Sequence, residues 1–302
     1  MRAKRLRFMP LSFRIDAIAP PRRAEALHDR SVYMGAFEGY YLYCDLDGTL
    51  FDDQKRVSAE NRAAIESFVA EGGRFGVATG RAPSIIGAIE RDLPVNAPCI
   101  LLNGAGLYDL SEKRFLATHP VDRVLLEQLI ARIIEVRTDA CVQIFTESSI
   151  FETNPNQRDD PYTVMEQLPI TKRPLEVIDE TALKLLIAHT SENLDAIHAA
   201  VMREDYIDRF SVFRTSDWYL EFVTAGVNKG TALEDVRARC GNVKKILAIG
   251  DYNNDLEMVT LADIGGAPSN AIDEVKAAAQ IVLDADNNQS CVARFLEQAL
   301  GL

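Results

Sequence analysis

"YYLYCDLDGTLFDD", residues 40–53, decides how this chain is read. Five mostly apolar residues run straight into Asp45 and Asp47, with Asp52 and Asp53 close behind. The apolar run has the length of a buried strand, and the Asp-Gly that follows is turn chemistry. A buried strand that ends in a cluster of like charges needs something positive brought to it, because an uncompensated carboxylate is costly to desolvate.

Working outward, strands and helices alternate. Ser58 is placed to cap a helix through about Ala70, with Ala63, Ala64, Ile65, Phe68 and Val69 on a helical period and Gly72–Gly73 to stop it. "FGVATG" reads as a second strand, with Pro83 in the first turn of the next helix. "CILLNG" reads as a third, followed by a hairpin across "GLYDLSEKRFLAT". Near the end come "KILAIG", "DIGGA" and "QIVLD", interleaved with helices, the last of them starting at Cys291. This alternation predicts an α/β fold, a doubly wound Rossmann-like parallel sheet covered on both faces. The middle reads differently. Residues 121–136 form an amphipathic helix; strands near 142–145, 184–188, 210–214 and 219–223, a helix near 193–203 and a loop at 153–163 complete a second α/β unit. The expected organisation is a core of 39–117 and 223–302 with an inserted α/β cap of 118–222.

Four strand ends carry distinctive polar groups: Asp45-Leu46-Asp47-Gly48-Thr49, Thr79-Gly80-Arg81, Asn103-Gly104 and Gly250-Asp251-Tyr252-Asn253-Asn254-Asp255. One such ending is explained by turn formation alone. Four together point to the crevice beyond the carboxyl ends of a parallel sheet, where such folds bind ligands. Competing motifs fail: Asp251, Asn253 and Asp255 begin like an EF-hand, but Leu256 and Ala262 occupy its Gly and Glu positions. "NGAGLYD" lacks the third glycine of a dinucleotide loop, and no Walker-type phosphate loop occurs. Hard oxygen ligands with few cations suit Mg²⁺, held by Asp45 and Asp251. With Arg81, Lys229, a threonine hydroxyl and backbone N–H groups, the set makes a site for a phosphoryl group. Read singly, Arg81 also fits a surface ion pair, Asn103 a turn former and Asn270 a helix cap.

Composition sets bounds. The formal net charge of −12 disfavours nucleic acid as a partner, and no apolar run approaches the roughly 20 residues of a membrane span. Five scattered cysteines without a C-x-x-C pair favour reduced thiols and a cytoplasmic protein. Residues 1–38 are basic and proline-containing; Arg14 interrupts any secretory apolar stretch, so they read as an ill-ordered or surface-packed extension.

"DLDGT", "ATGR", "VNKG" and "GDYNND", in that order, resemble the four motifs of the haloacid dehalogenase superfamily of phosphohydrolases. "LLNGA", "LEFVTAGVNKG" and "APSNAIDEVKAAA" are similar to its Cof-type subgroup, and the long insertion resembles a type IIB cap. The resemblance implies that Asp45 is a nucleophile forming an aspartyl-phosphate and Asp47 the acid and base. It further implies that Thr79 and Lys229 hold phosphoryl oxygens. Gly48, Arg81, Asn103, Gly104 and Asn254 would lie at the phosphate. The metal set would be Asp45, Asp47 through its backbone carbonyl, Asp251 and Asp255, the last supporting either metal or Lys229. The implied activity is Mg²⁺-dependent hydrolysis of a small phosphorylated metabolite, sugar phosphates foremost, by a monomer or weak homo-oligomer. The alternatives are a phosphosugar mutase and a non-catalytic phosphometabolite-binding protein. In the cap, Arg158, Arg214 and Glu221 are candidate substrate contacts.

Overall fold

The computed structural model describes residues 35–160, 163 and 168–302. The reading of residues 1–38 as an extension therefore falls, for 1–34, outside the described residues, as do 161 and 162 of the loop at 153–163.

Strand β1 (Tyr40–Cys44) sits inside a five-stranded parallel sheet of order β14-β13-β12-β1-β2. Its neighbours are β2 (Arg74–Val77) on one side and β12 (Lys245–Ile249) on the other, with β13 (Ile264–Ala267) and β14 (Ile281–Val282) beyond. Alternation explains its double burial. Leu42 and Cys44 pack with Ile65, Phe68 and Phe295 of helices Ala59–Ala70 and Cys291–Leu300, while Tyr41 and Tyr43 pack with Leu233 and Val236 of helix Lys229–Arg239. Ser58 caps the first of these helices, accepting from the Asn61 N–H as its sequence position predicts. Strand β3 (Cys99–Leu101) touches β2 through a single bridge, Ala78–Ile100, and forms its own antiparallel sheet with β4 (Gly106–Asp109) and β5 (Arg114–Thr118).

The inserted unit is a six-stranded sheet of order β10-β11-β9-β6-β7-β8. The strands are β6 (Cys141–Phe145), β7 (Ile150–Glu152), β8 (Ile170–Lys172), β9 (Lys184–Ala188), β10 (Phe210–Ser216) and β11 (Tyr219–Thr224). The three-residue β7 and β8 are additions to the sequence reading. One face carries Val142, Ile144, Leu185, Ile187, Leu220 and Phe222 against helices Arg123–Val136 and Ser191–Val201. The other carries Cys141, Phe145, Leu186, Phe213 and Val223, which belong to the same apolar cluster as Leu42 and Cys44. Through these side chains the inserted sheet shares an apolar cluster with the parallel sheet. Among the described residues, no helix is long and apolar enough to cross a membrane.

Candidate active site

The chain leaves β1 toward β2 on one side and returns to β12 on the other, so the switch point of the parallel sheet lies between β1 and β12. Asp45 follows β1 and Asp251 follows β12 by two residues. Asp45, Asp251 and Asp255 each offer a carboxylate oxygen, all within 4.8 Å of one another, and all three residues are buried. Lys229, fully buried at the start of its helix, donates to Asp45 Oδ1 and to Asp255 Oδ1 at 2.6 Å each. Asp255 spends its other oxygen on the Asp251 and Tyr252 N–H groups. Asp45 Oδ2 has no hydrogen-bond partner among the described residues, and Asp45 lines a cavity of about 490 Å³.

One ammonium shared by three buried carboxylates leaves an excess of negative charge. Burial, and then Asp255, push Asp45 up to about 7 against the pull of Lys229. Burial, then Asp45 and Asp255, lift Asp251 well above the usual carboxylate range. Burial alone would lower Lys229, but Asp255 and Asp45 overcome it and keep it charged. The donors are all oxygen and the charge imbalance is unmet by the protein's own groups, so the cluster fits a hard divalent cation. Asp45 and Asp251 have the oxygens to hold it; both oxygens of Asp255 are already engaged.

The turn after β1 is built around Asp251. Gly48 has φ +86°, and a Cβ there would run into the Asp251 carboxylate. Thr49 donates to Asp251 Oδ1 at 2.7 Å, and the Asn270 amide holds the Gly48 carbonyl at 2.8 Å. Asp47 points elsewhere. Arg81 grips it through two N–H bonds of 2.8 Å, and Lys55 adds a third at 2.6 Å. Its packed surroundings act to raise the carboxyl, but the Arg81 hydrogen bonds and charge, with Lys55, hold it down at about 2. Thr79 is buried beside this clamp, its hydroxyl accepting from the Arg81 N–H.

Asn103 is fully buried with φ +56°, so it is a turn former and a polar link at once. It accepts from the Asn254 amide at 3.0 Å and donates to Glu221 of the inserted sheet at 2.9 Å. Gly104, with φ +95°, lies against the Asn228 carbonyl, where a Cβ would collide, and so fixes the approach to Lys229. Asp45, Asp47, Thr79, Arg81, Asp251 and Asn254 line the cavity; Gly48, Asn103, Gly104, Lys229 and Asp255 stand behind its wall. Of the three cap candidates, Glu221 lines it. Arg214 binds Asp195, Ser191 and the backbone of the β10–β11 turn instead, and Arg158 is exposed. Lys55, Gln143, Asp160, Lys184 and Tyr219 also line the cavity and escaped the sequence reading. For Lys184 a signal existed: one lysine inside the apolar run "LKLLIA".

A family model described as haloacid dehalogenase-like hydrolase matches residues 42–296. The chain is 30% identical over 280 residues to the 5-amino-6-(5-phospho-D-ribitylamino)uracil phosphatase of Bacillus subtilis, covering 85% of this chain and 96% of the relative. It is 26% identical to the pyridoxal phosphate phosphatase of Escherichia coli, over 83% and 95% of the two chains. A crystal structure from Thermotoga maritima superposes with a TM-score of 0.72 at 30% identity, covering 85% and 96%.

Proposed function

Because the chain belongs to the haloacid dehalogenase-like hydrolases, we propose that it is a Mg²⁺-dependent phosphatase of small phosphate monoesters, sugar phosphates foremost. The observation that carries this reading is the convergence of Asp45, Asp251, Asp255 and Lys229 beyond two adjacent parallel strands. Relatives named for a phosphoribitylaminouracil and for pyridoxal phosphate support a monoester, and a cavity of about 490 Å³ suits a small metabolite. Residues 118–222 are taken as the cap over a core of 39–117 and 223–302.

Asp45 attacks phosphorus with its unbonded oxygen as the bond to the leaving oxygen breaks, giving an aspartyl-phosphate. Asp47, once Arg81 and Lys55 turn to the phosphoryl group and it has taken a proton from solvent, gives that proton to the leaving oxygen, then takes one from the water that cleaves the acyl-phosphate, restoring Asp45 and releasing phosphate. Thr79 steadies a phosphoryl oxygen, while Lys229, behind the cavity wall on Asp45 and Asp255, offsets charge from there. Asp45 and Asp251 would hold Mg²⁺, which when bound would neutralise charge on the phosphoryl group. As it stands, Asp47 is a carboxylate held by Arg81 and Lys55. Acting as an acid requires both to let go, which a phosphoryl dianion drawing those cations to itself accomplishes.

The test is a screen of phosphorylated metabolites for phosphate release, with Mg²⁺ and with chelator, and with Asp45→Asn as the blank. Oxygen from labelled water is expected in the released phosphate. Conversion of one sugar phosphate into its isomer would establish the mutase instead, and no turnover of any ester by the folded protein would establish a binding protein.

A further inference from the structure

Lys184 and Glu221 form an ion pair of 2.6 Å whose side chains are 2% and 6% exposed. They lie on β9 and β11 of the inserted sheet, yet each also bonds to the core. Lys184 Nζ also donates to the Gly80 carbonyl at 2.7 Å and stands 4.2 Å from the centroid of the Phe145 ring. Glu221 Oε2 also accepts from Asn103 at 2.9 Å, while Oε1 accepts from Thr215 at 2.7 Å. Both charges are therefore satisfied, as burial demands.

A buried ion pair is a poor source of stability, since apolar groups of the same volume commonly do as well or better. What this pair adds is registration between two sheets. Gly80 lies between Thr79 and Arg81, so the Lys184 ammonium pins the loop that carries the buried threonine and the Asp47 clamp. Glu221 orients Asn103, whose Oδ1 then accepts from Asn254 in the loop between Asp251 and Asp255. Two loops of the core site are thus tied, through four hydrogen bonds, to one point on the cap.

We infer that Lys184 and Glu221 are positioning residues: docking of the cap through this pair sets the phosphate side of the site. The inference rests on the phosphatase reading and deepens it. The cap then serves every ester, including those whose leaving group never touches it.

The test compares wild type, Lys184→Met/Glu221→Leu, Lys184→Gln and Glu221→Gln, all with Mg²⁺, on p-nitrophenyl phosphate and on a hexose 6-phosphate. Folding is followed by thermal melting, and orthovanadate binding by the fluorescence of Trp218, the only tryptophan, which lies in the β10–β11 turn. The double variant is expected to stay folded, to lose tenfold or more in kcat on both esters alike, and to bind orthovanadate at least tenfold more weakly. Glu221→Gln keeps one oxygen to accept from Lys184 and Asn103, turns its NH2 on the Thr215 hydroxyl, and is expected to lose less turnover than the double variant. Wild-type kcat in the folded double variant would overturn the inference, leaving the pair a packing feature. A loss confined to the hexose ester would overturn it too, making the pair a contact to the leaving group. If the double variant does not fold, Lys184→Gln decides, with a loss of threefold or more on both esters expected and wild-type turnover refuting. Failure of the wild type on both esters, with orthovanadate also unbound, removes the phosphatase reading and this inference with it; wild-type turnover with unaffected variants removes the inference alone.

Discussion

Replacing Asp45 by Asn should stabilise the metal-free protein while abolishing turnover. Burial and Asp255 raise Asp45 from its ordinary 3.8 to about 7. At about 1.4 kcal/mol for each tenfold, that climb means the ionised carboxylate costs the folded state roughly 4 kcal/mol at pH 8. Asn has the same shape and no charge, so most of this cost disappears. At about 2–4 °C per kcal/mol for a chain of this size, the melting temperature should rise by roughly 5–15 °C. The sign with pH is fixed by linkage. A carboxyl raised in the folded state binds its proton there more tightly than in the unfolded chain, so stability falls as pH climbs from 3.8 to about 7. The advantage of the variant should be absent near pH 4 and complete by pH 8. Saturating Mg²⁺ should close most of the gap, since a cation present at a hundred times its Kd adds about 2.7 kcal/mol to wild type and less to the variant. The assay is thermal melting of both proteins from pH 4 to pH 8, in chelator and in Mg²⁺. A variant less stable than wild type in chelator at pH 8, or a gap unchanged with pH, would refute the claim that this carboxylate awaits a cation.

Three further outcomes follow from neighbouring contacts. Mg²⁺ must compete with protons for Asp45 and Asp251, so calorimetry should find affinity increasing with pH up to about 7, with proton uptake by the buffer on binding. Gly48→Ala places a Cβ against the Asp251 carboxylate at positive φ. It should cost about 1–2 kcal/mol in melting experiments and weaken the stabilisation by Mg²⁺ more than the fold itself. In Arg81→Met, Asp47 keeps only Lys55, so its carboxyl carbon should titrate in NMR closer to 3.8 than to the wild-type value of about 2.

Much of this was legible because the deciding signals are local. Ser58, the apolar run of β1 and the helix start at Cys291 each declare themselves within a few residues, and each stands where the sequence puts it. Strands β7 and β8 escaped because three residues are too few to display alternation and neither sits in an apolar run such as the one that marks β3. The convergence of Asp45 with Asp251 followed from both closing apolar strands, yet the division of labour did not. Whether Asp255 serves metal or lysine depends on which N–H groups the turn at Asp251 presents, and Asp47 is bound by a partner 34 positions away. Lys184 was visible as an odd charge in an apolar run, but its role becomes intelligible only once Glu221 and Gly80 arrive from other parts of the chain.

The order of the parallel strands has a consequence for how the protein comes into being. The hydroxyl of Thr49 and the carboxylate it braces are 202 residues apart, and β12, which carries the latter, emerges after the entire insertion. A nascent chain halted before β12 has Asp45 and Lys229 but neither the lysine's second anchor, Asp255, nor the Asp251 carboxylate of the acidic cluster. Hydrolytic capacity therefore arrives in one step late in synthesis, when the returning strand slots beside the first.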